Sequence, residues 1–282
     1  MSRNVRLIDV TLRDAHQCLW ATRMTTAMMK DIAPRLDRAG FEAIDLVGGA
    51  VFDVCVRFLR EDPWERMRIL NSWVTETPLI IHTRGQSLFT FEFFADDVVE
   101  LAAQRFAANG MRYHTVYDAL NDIRNLEIPI RAARSHGIYT VPGLVYTVSP
   151  VHTDEYYARK TQELLTIGVD AVFLKDPSGL LTPERAATLI PAMKAVTGNV
   201  PLQLHSHCLS GLGPSAALQA PLHRGRALTI TIIEVFILPT CAEMGRTEFS
   251  NLLASLEFGP GSWELGAGSF ETLKPCQGFK VP

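Results

Sequence analysis

The 282-residue chain carries 27 Lys and Arg against 30 Asp and Glu, for a net charge of −3, with 47% hydrophobic and 20% charged residues. That balance excludes a disordered chain and provides no generic electrostatic pull toward nucleic acid or an anionic membrane. No apolar run reaches the roughly 18 residues of a spanning helix, and the charged start MSRNVRLIDV lacks the apolar core of a secretory leader. Cys18, Cys55, Cys208, Cys241 and Cys276 are odd in number and contain no CxxC pair, which predicts a reduced, cytoplasmic protein without a membrane segment.

In chain order, short β-branched or apolar runs occur at 5–10, 43–47, 78–83, 112–118, 138–146, 170–176 and 200–207, with starts 26–38 residues apart. That interval holds one strand, one helix and two short loops. Helical patterns lie between them at 25–40, 63–74, 95–110, 153–168 and 182–198. Thr153 and Thr182 are placed to cap helix starts, and Asp62 is a cap with Pro63 in the first helical position. Gly40, Gly110, Gly168 and Gly198 are placed to end helices in the left-handed conformation. Alternating strands and helices imply a parallel sheet with right-handed crossovers. Seven units, with an eighth strand available at 227–238, predict a (β/α)8 TIM barrel, and no GxGxxG follows the first strand to support a Rossmann sheet.

The last stretch differs. Residues 221–282 hold seven glycines and no Asp, and lack clean helical patterning; 247–258 is the best helix candidate there. The chain therefore divides into a barrel of seven units over 1–220 and an atypical segment over 221–282. The latter offers a possible eighth strand followed by a tail, so the eighth unit is atypical or incomplete.

In a barrel of this kind, chemistry collects at the C-terminal ends of the strands. Those ends carry Arg13 and Asp14, then Arg84, then the charged loop 117–125, then Lys175, and finally His205 and His207. His205 and His207 stand two apart on a strand and face one side; they read either as a pair of metal ligands or as a chance spacing. With Asp14 they form a nitrogen and oxygen donor set suited to Zn, Mn or Co. Cys208 is expected on the opposite face as a small buried side chain. Lys175 follows an apolar run that desolvates its ammonium, which opens the way to a reactive amine; on position alone a salt bridge to Asp176 or Asp14 is the more ordinary reading. Arg13 and Arg84 are counter-charges for a small carboxylate, or else ordinary ion pairs. Trp64 and Trp73 read as packing residues, and the loop 117–125 as structural.

The stretches LRDAHQCLWATRM (12–24), GGAVFDVCVRFLREDPWERMR (48–68), RGQ (84–86), YDALNDIRNL (117–126), FLKDPSGLLTP (173–183) and LHSHCLSG (204–211) occur in one order and spacing. Over roughly residues 5–220 the chain resembles the carboxyltransferase domain of biotin-dependent enzymes: pyruvate carboxylase, the oxaloacetate decarboxylase alpha subunit and the transcarboxylase 5S subunit. The resemblance implies that Asp14, His205 and His207 bind a divalent metal with carbamylated Lys175 as fourth ligand, and that Arg13, Gln17 and Arg84 hold the substrate. Lys175, Arg13 and Gln17 are its implied catalytic residues. The implied reaction moves CO2 between carboxybiotin and a 2-oxo acid, pyruvate or oxaloacetate, through a metal-stabilised enolate.

Biotin would be supplied in trans by a carrier domain or subunit charged by a biotin carboxylase, within an oligomer. The resemblance breaks near residue 220, where ALQAPLHRGRALTITIIEV departs from the family pattern. The long helical region that follows the family's barrel is missing, as truncation or a reading-frame change would produce. The alternatives are a biotin-independent metal-dependent lyase or aldolase of the hydroxymethylglutaryl-CoA lyase-like group, and a truncated barrel without catalysis.

Overall fold

The computed structural model describes residues 6–222 and 230–235. Eight parallel strands close in sequence order into one barrel. They are β1 (Arg6–Asp9), β2 (Ala43–Val47), β3 (Leu79–Thr83), β4 (Tyr113–Asp118), β5 (Tyr139–Val145), β6 (Val172–Asp176), β7 (Leu202–Ser206) and β8 (Ile230–Val235). The helices are α1 (His16–Leu19), α2 (Thr26–Met29), α3 (Ala33–Asp37), α4 (Gly49–Val54), α5 (Pro63–Trp73), α6 (Asp96–Ala108), α7 (Arg124–Ser135), α8 (Asp154–Leu165), α9 (Pro183–Thr197) and α10 (Gly213–Leu222).

Each of the seven expected strands forms, β2 over the expected residues and the others trimmed by a residue or two at one or both ends. The eighth forms within the expected 227–238 run and closes the ring, pairing with β1 (Ile8 with Glu234) and with β7 (Leu204 with Ile233). Strand β8 and the last two residues of α10 lie in the segment set apart at 221–282. The helix expected at 247–258, Cys241 and Cys276 lie outside the described residues.

The anticipated end signals operate. Thr153 and Thr182 accept from Tyr156 N and Arg185 N, Asp62 accepts from Trp64 N, and Gly40, Gly110, Gly168 and Gly198 all take positive φ. The single helix expected over 25–40 does not form. It is split into α2 and α3, because Pro34 has no N–H to donate to the carbonyl one turn back and instead serves in the first turn of α3.

Inside the ring, Ile8, Val10, Ile80, Tyr113, Val141 and Phe173 belong to an apolar plug. Outside it, strand and helix faces bury two larger layers, one around Leu46, Met67 and Phe106 and one around Leu144, Leu174 and Leu189. Trp64 packs against Phe52 and Phe106, and Trp73 lies against the same layer, so both tryptophans are packing residues. No helix among the described residues is long and apolar enough to cross a membrane.

Asp37 fastens the end of α3 to the approach of β3. Its carboxylate accepts from the backbone N–H of Thr75 (2.8 Å), Glu76 (3.1 Å) and Thr77 (2.7 Å). Burial works against the charge, but those N–H donors more than offset it, and its pKa falls below the usual carboxylate value. A depressed carboxylate stabilises the fold above its unfolded pKa of about 3.9, and that contribution is lost as the pH falls through its folded value. Asp37→Asn is expected to cost about 1–3 kcal/mol near neutral pH. Urea unfolding of both proteins should show the gap narrowing as the pH drops from about 6 toward 3; a gap independent of pH contradicts the assignment.

Candidate active site

The polar residues expected at the strand ends sit above the apolar plug on one mouth. After β1 the chain makes a wide π-helical turn, Thr11–Ala15, in which the Val10 carbonyl receives the N–H groups of Arg13, Asp14 and Ala15. Such turns are rare and concentrate at functional sites. Here the turn delivers Arg13 and Asp14, both buried, to the barrel axis.

Asp14 Oδ2 lies 3.5 Å from His205 Nε2 and 3.4 Å from His207 Nε2. His205 belongs to β7, and His207 stands one residue past its end, with its N–H bonded to the Asp176 carbonyl at 3.0 Å. The two imidazoles meet edge to face at 4.8 Å. Burial, followed for His205 by Lys175, lowers both imidazole pKa values, so the rings are held neutral. Burial would raise the Asp14 pKa, but the cations of Arg13 and Lys175 act against it and bring it below the usual carboxylate value, so its carboxylate stays ionised. The ligand atoms of Asp14, His205 and His207 all lie within 4.8 Å of one another. Atoms bound to one ion at about 2.0–2.2 Å stand roughly 3–3.5 Å apart, so an ionised oxygen and two neutral nitrogens at these separations fit a divalent cation.

Arg13 is more constrained than an isolated cation. Its Nη1 donates to Asp14 Oδ1 at 2.7 Å, and its Nε donates to Asp45 Oδ2 at 2.6 Å. The two buried carboxylates raise the guanidinium pKa against the cost of burial. The sequence reading missed Asp45; the available signal was a lone carboxylate inside AIDLV, a strand otherwise buried and apolar. It also missed the Gly48–Gly49 pair that follows. A Cβ on Gly48 would lie 3.2 Å from Arg13 Cδ, and one on Gly49 2.8 Å from Arg84 Nη1, so both glycines make room for guanidinium groups. Arg84 also donates to the Phe89 carbonyl at 3.1 Å and lies 4.4 Å over the Phe91 ring.

Lys175 is 5% exposed and sits opposite His205 in register. Burial, then Arg13 and Arg84, bring its pKa down to about 8, against the opposing pull of Asp14 and Asp45. A salt bridge to Asp176 is not its explanation, because that carboxylate is taken by Leu180 N, Leu181 N and Ser206 Oγ. The ammonium lies 5.3 Å from the centre of the Tyr117 ring. Lys175, Arg13, Gln17, Arg84, Tyr117 and His207 line a cavity of about 180 Å³.

Strand β7 ends at Ser206, so Cys208 does not alternate to the opposite strand face; it occupies a left-handed turn (φ 54°) and is half-buried. The loop 117–125 is built largely on its own hydrogen bonds, while Tyr117 at its start and Ala119 line the cavity, which its spacing did not suggest. Asp118 accepts from Leu120 N, Asp122 N and Asn125 Nδ2, and Asn121 clamps Val145 through both its backbone groups.

Among the described residues, a closed barrel of eight parallel strands with helices between them defines a TIM-barrel domain with a polar mouth. No protein-family model matches it. Over 215 residues it is 41% identical to a pyruvate carboxylase subunit of Methanocaldococcus jannaschii, an alignment covering 76% of this chain and 38% of that protein. It is 37% identical over 219 residues to the methylmalonyl-CoA carboxyltransferase 5S subunit of Propionibacterium freudenreichii subsp. shermanii, covering 77% and 43%. Among solved structures, the carboxyl transferase domain of Rhizobium etli pyruvate carboxylase with oxamate and biotin matches at TM-score 0.77 and 30% identity, covering 82% of this chain and 40% of that one. Over about three quarters of its length the chain is homologous to the carboxyltransferase domains of these biotin-dependent carboxylases, and it spans about two fifths of the length of these relatives. The lyase-like alternative is not favoured by these relatives.

Proposed function

We propose that residues 1–220, with β8, form a carboxyltransferase barrel that moves CO2 between N1 of carboxybiotin and the methyl carbon of a 2-oxo acid, pyruvate in one direction and oxaloacetate in the other. The observation that carries this reading is the meeting of Asp14 Oδ2 with two neutral imidazoles at 3.4 and 3.5 Å, beside a cavity lined by Arg13, Arg84 and Lys175. The carboxylase and carboxyltransferase relatives support the same chemistry.

Asp14, His205, His207 and Lys175 would hold the divalent metal, Zn, Mn or Co. When bound, it supplies Lewis-acid stabilisation of the negative charge that develops on the 2-oxo acid's carbonyl oxygen in forming the enolate. Lys175 would join that set after its ammonium gives up one proton and the free amine adds to CO2, which forms an N–C bond, releases a second proton and leaves a carboxylate-like ligand. A pKa near 8 leaves a usable fraction of free amine at neutral pH. Arg13 is locked by Asp14 and Asp45 and acts as a preorganised donor, while Arg84 and Gln17 complete the grip on the substrate carboxylate. In the carboxylation direction the methyl carbon loses a proton and gains a C–C bond, while biotin N1 loses its carboxyl group and gains a proton.

The reading brings in biotin on a carrier domain or subunit, a biotin carboxylase to charge it, an oligomeric assembly and a cytoplasmic setting. It is tested by oxaloacetate decarboxylation with the full chain, Mn2+ and free biotin. Pyruvate should form faster than with Mn2+ alone, faster again with biotin, and more slowly with oxamate. A rate equal to that of the metal control would sink the proposal.

A further inference from the structure

The mechanism above leaves His82 without a role. It rises from β3 to the cavity wall and is 6% exposed, resting edge-on over Phe173 of the apolar plug with ring centres 6.0 Å apart. The Tyr117 ring lies tilted against it at 5.1 Å. One ring nitrogen is fixed, because Nδ1 is hydrogen-bonded to Oγ1 of Thr115, its register partner on β4. The other is not: Nε2 is buried and has no hydrogen-bond partner among the described residues.

An unsatisfied buried nitrogen costs about 1–3 kcal/mol, and native folds keep such groups rare. Ile80, two residues earlier on the same face of β3, is apolar and belongs to the plug. Packing alone would therefore accept an aliphatic side chain at position 82. The imidazole adds no charge to the cavity, since burial, then Lys175 and Arg13, hold its pKa well below the usual histidine value. What remains is a neutral, oriented ring with one hydrogen-bonding position to offer, on the wall it shares with Arg13, Arg84 and Lys175.

We propose that His82 is a substrate-binding residue whose Nε2 hydrogen-bonds a polar atom of the bound 2-oxo acid. The assignment rests on the carboxyltransferase reading and extends it. It gives β3 a second contact with the substrate beside Arg84, and makes the cavity wall discriminate between 2-oxo acids by the polar group that each presents there.

The test is calorimetric binding of oxamate to the full 282-residue chain with Mn2+, comparing wild type with His82→Leu, His82→Asn and His82→Gln. Glutamine places a polar atom near the reach of Nε2, whereas asparagine keeps the reach toward Thr115 and drops that of Nε2. His82→Leu and His82→Asn should each weaken oxamate binding about 10-fold or more, and His82→Gln should stay within about 3-fold of wild type. The opposite order, with asparagine retained and glutamine lost, would make His82 a structural partner of Thr115 and overturn the proposal. Equal binding by all variants would overturn it as well, and would leave a buried water as the partner of Nε2. Melting curves verify each fold, and if the leucine variant does not fold, the order of asparagine and glutamine carries the test. Failure of the wild type to bind oxamate would sink the carboxyltransferase reading itself and this assignment with it.

Discussion

Asp45→Leu is expected to destabilise the barrel by about 3 kcal/mol, measured as the change in urea unfolding free energy at neutral pH. Removing one partner of a buried ion pair typically costs about 3–5 kcal/mol, because a desolvated charge is left uncompensated. Arg13 is 4% exposed and Asp45 is 1% exposed, so neither recovers solvation by a small rotation. The lower end of the range applies, since Asp14 Oδ1 still accepts from Arg13 Nη1. Having lost its bond from Nε to Asp45, the guanidinium is held from one side only. The oxamate affinity should fall together with stability. A change under about 1 kcal/mol would show that Arg13 does not depend on Asp45 and would remove the rigid donor from the mechanism.

Lys175→Arg should lower oxaloacetate decarboxylation by roughly 10²–10³-fold while leaving the chain folded. The substitution keeps a cation beside Asp14 and Asp45 but cannot add CO2 or become an anionic ligand, because the guanidinium stays protonated. The expected loss is comparable to removing one preorganised group that stabilises developing charge. The variant separates the two readings of this lysine. If Lys175 serves only as a positive charge near the substrate, arginine supports most of the activity, and near-wild-type turnover would dismiss the carbamate. Melting the variant beside wild type separates a catalytic loss from simple overpacking, since arginine is bulkier than lysine and the position is 5% exposed.

The strands were legible because parallel barrel strands are short apolar runs separated by helical spacing, and even β8 could be read from TITIIEV despite its atypical surroundings. Helix ends were legible where a capping side chain or a positive-φ glycine marks them. The split of α2 from α3 was not read, because the apolar periodicity runs straight through Pro34 and only the missing N–H breaks it. In the candidate site, the legible residues are those announced by a local motif: Arg13 with Asp14, and His205 with His207. Those whose meaning is a partner across the barrel were not. Asp45 acquires its role from an arginine 32 residues earlier, and His82 from Thr115 on the next strand. Neither pairing leaves a spacing pattern in the chain. Gly48 and Gly49 read as a turn, and only the packed guanidinium groups beside them give the reason for two glycines there.

The central claim is that Asp14, His205 and His207 converge to hold one metal ion at the barrel mouth. Elemental analysis of the purified full chain, wild type beside His207→Ala, tests it most directly. The wild type should carry about one divalent ion per chain. Loss of a ligand should weaken binding by more than the roughly 10–100-fold that loss of an outer hydrogen-bond partner costs, leaving the folded variant essentially metal-free after dialysis. A wild type without metal, or a variant that retains its full complement, would contradict the account.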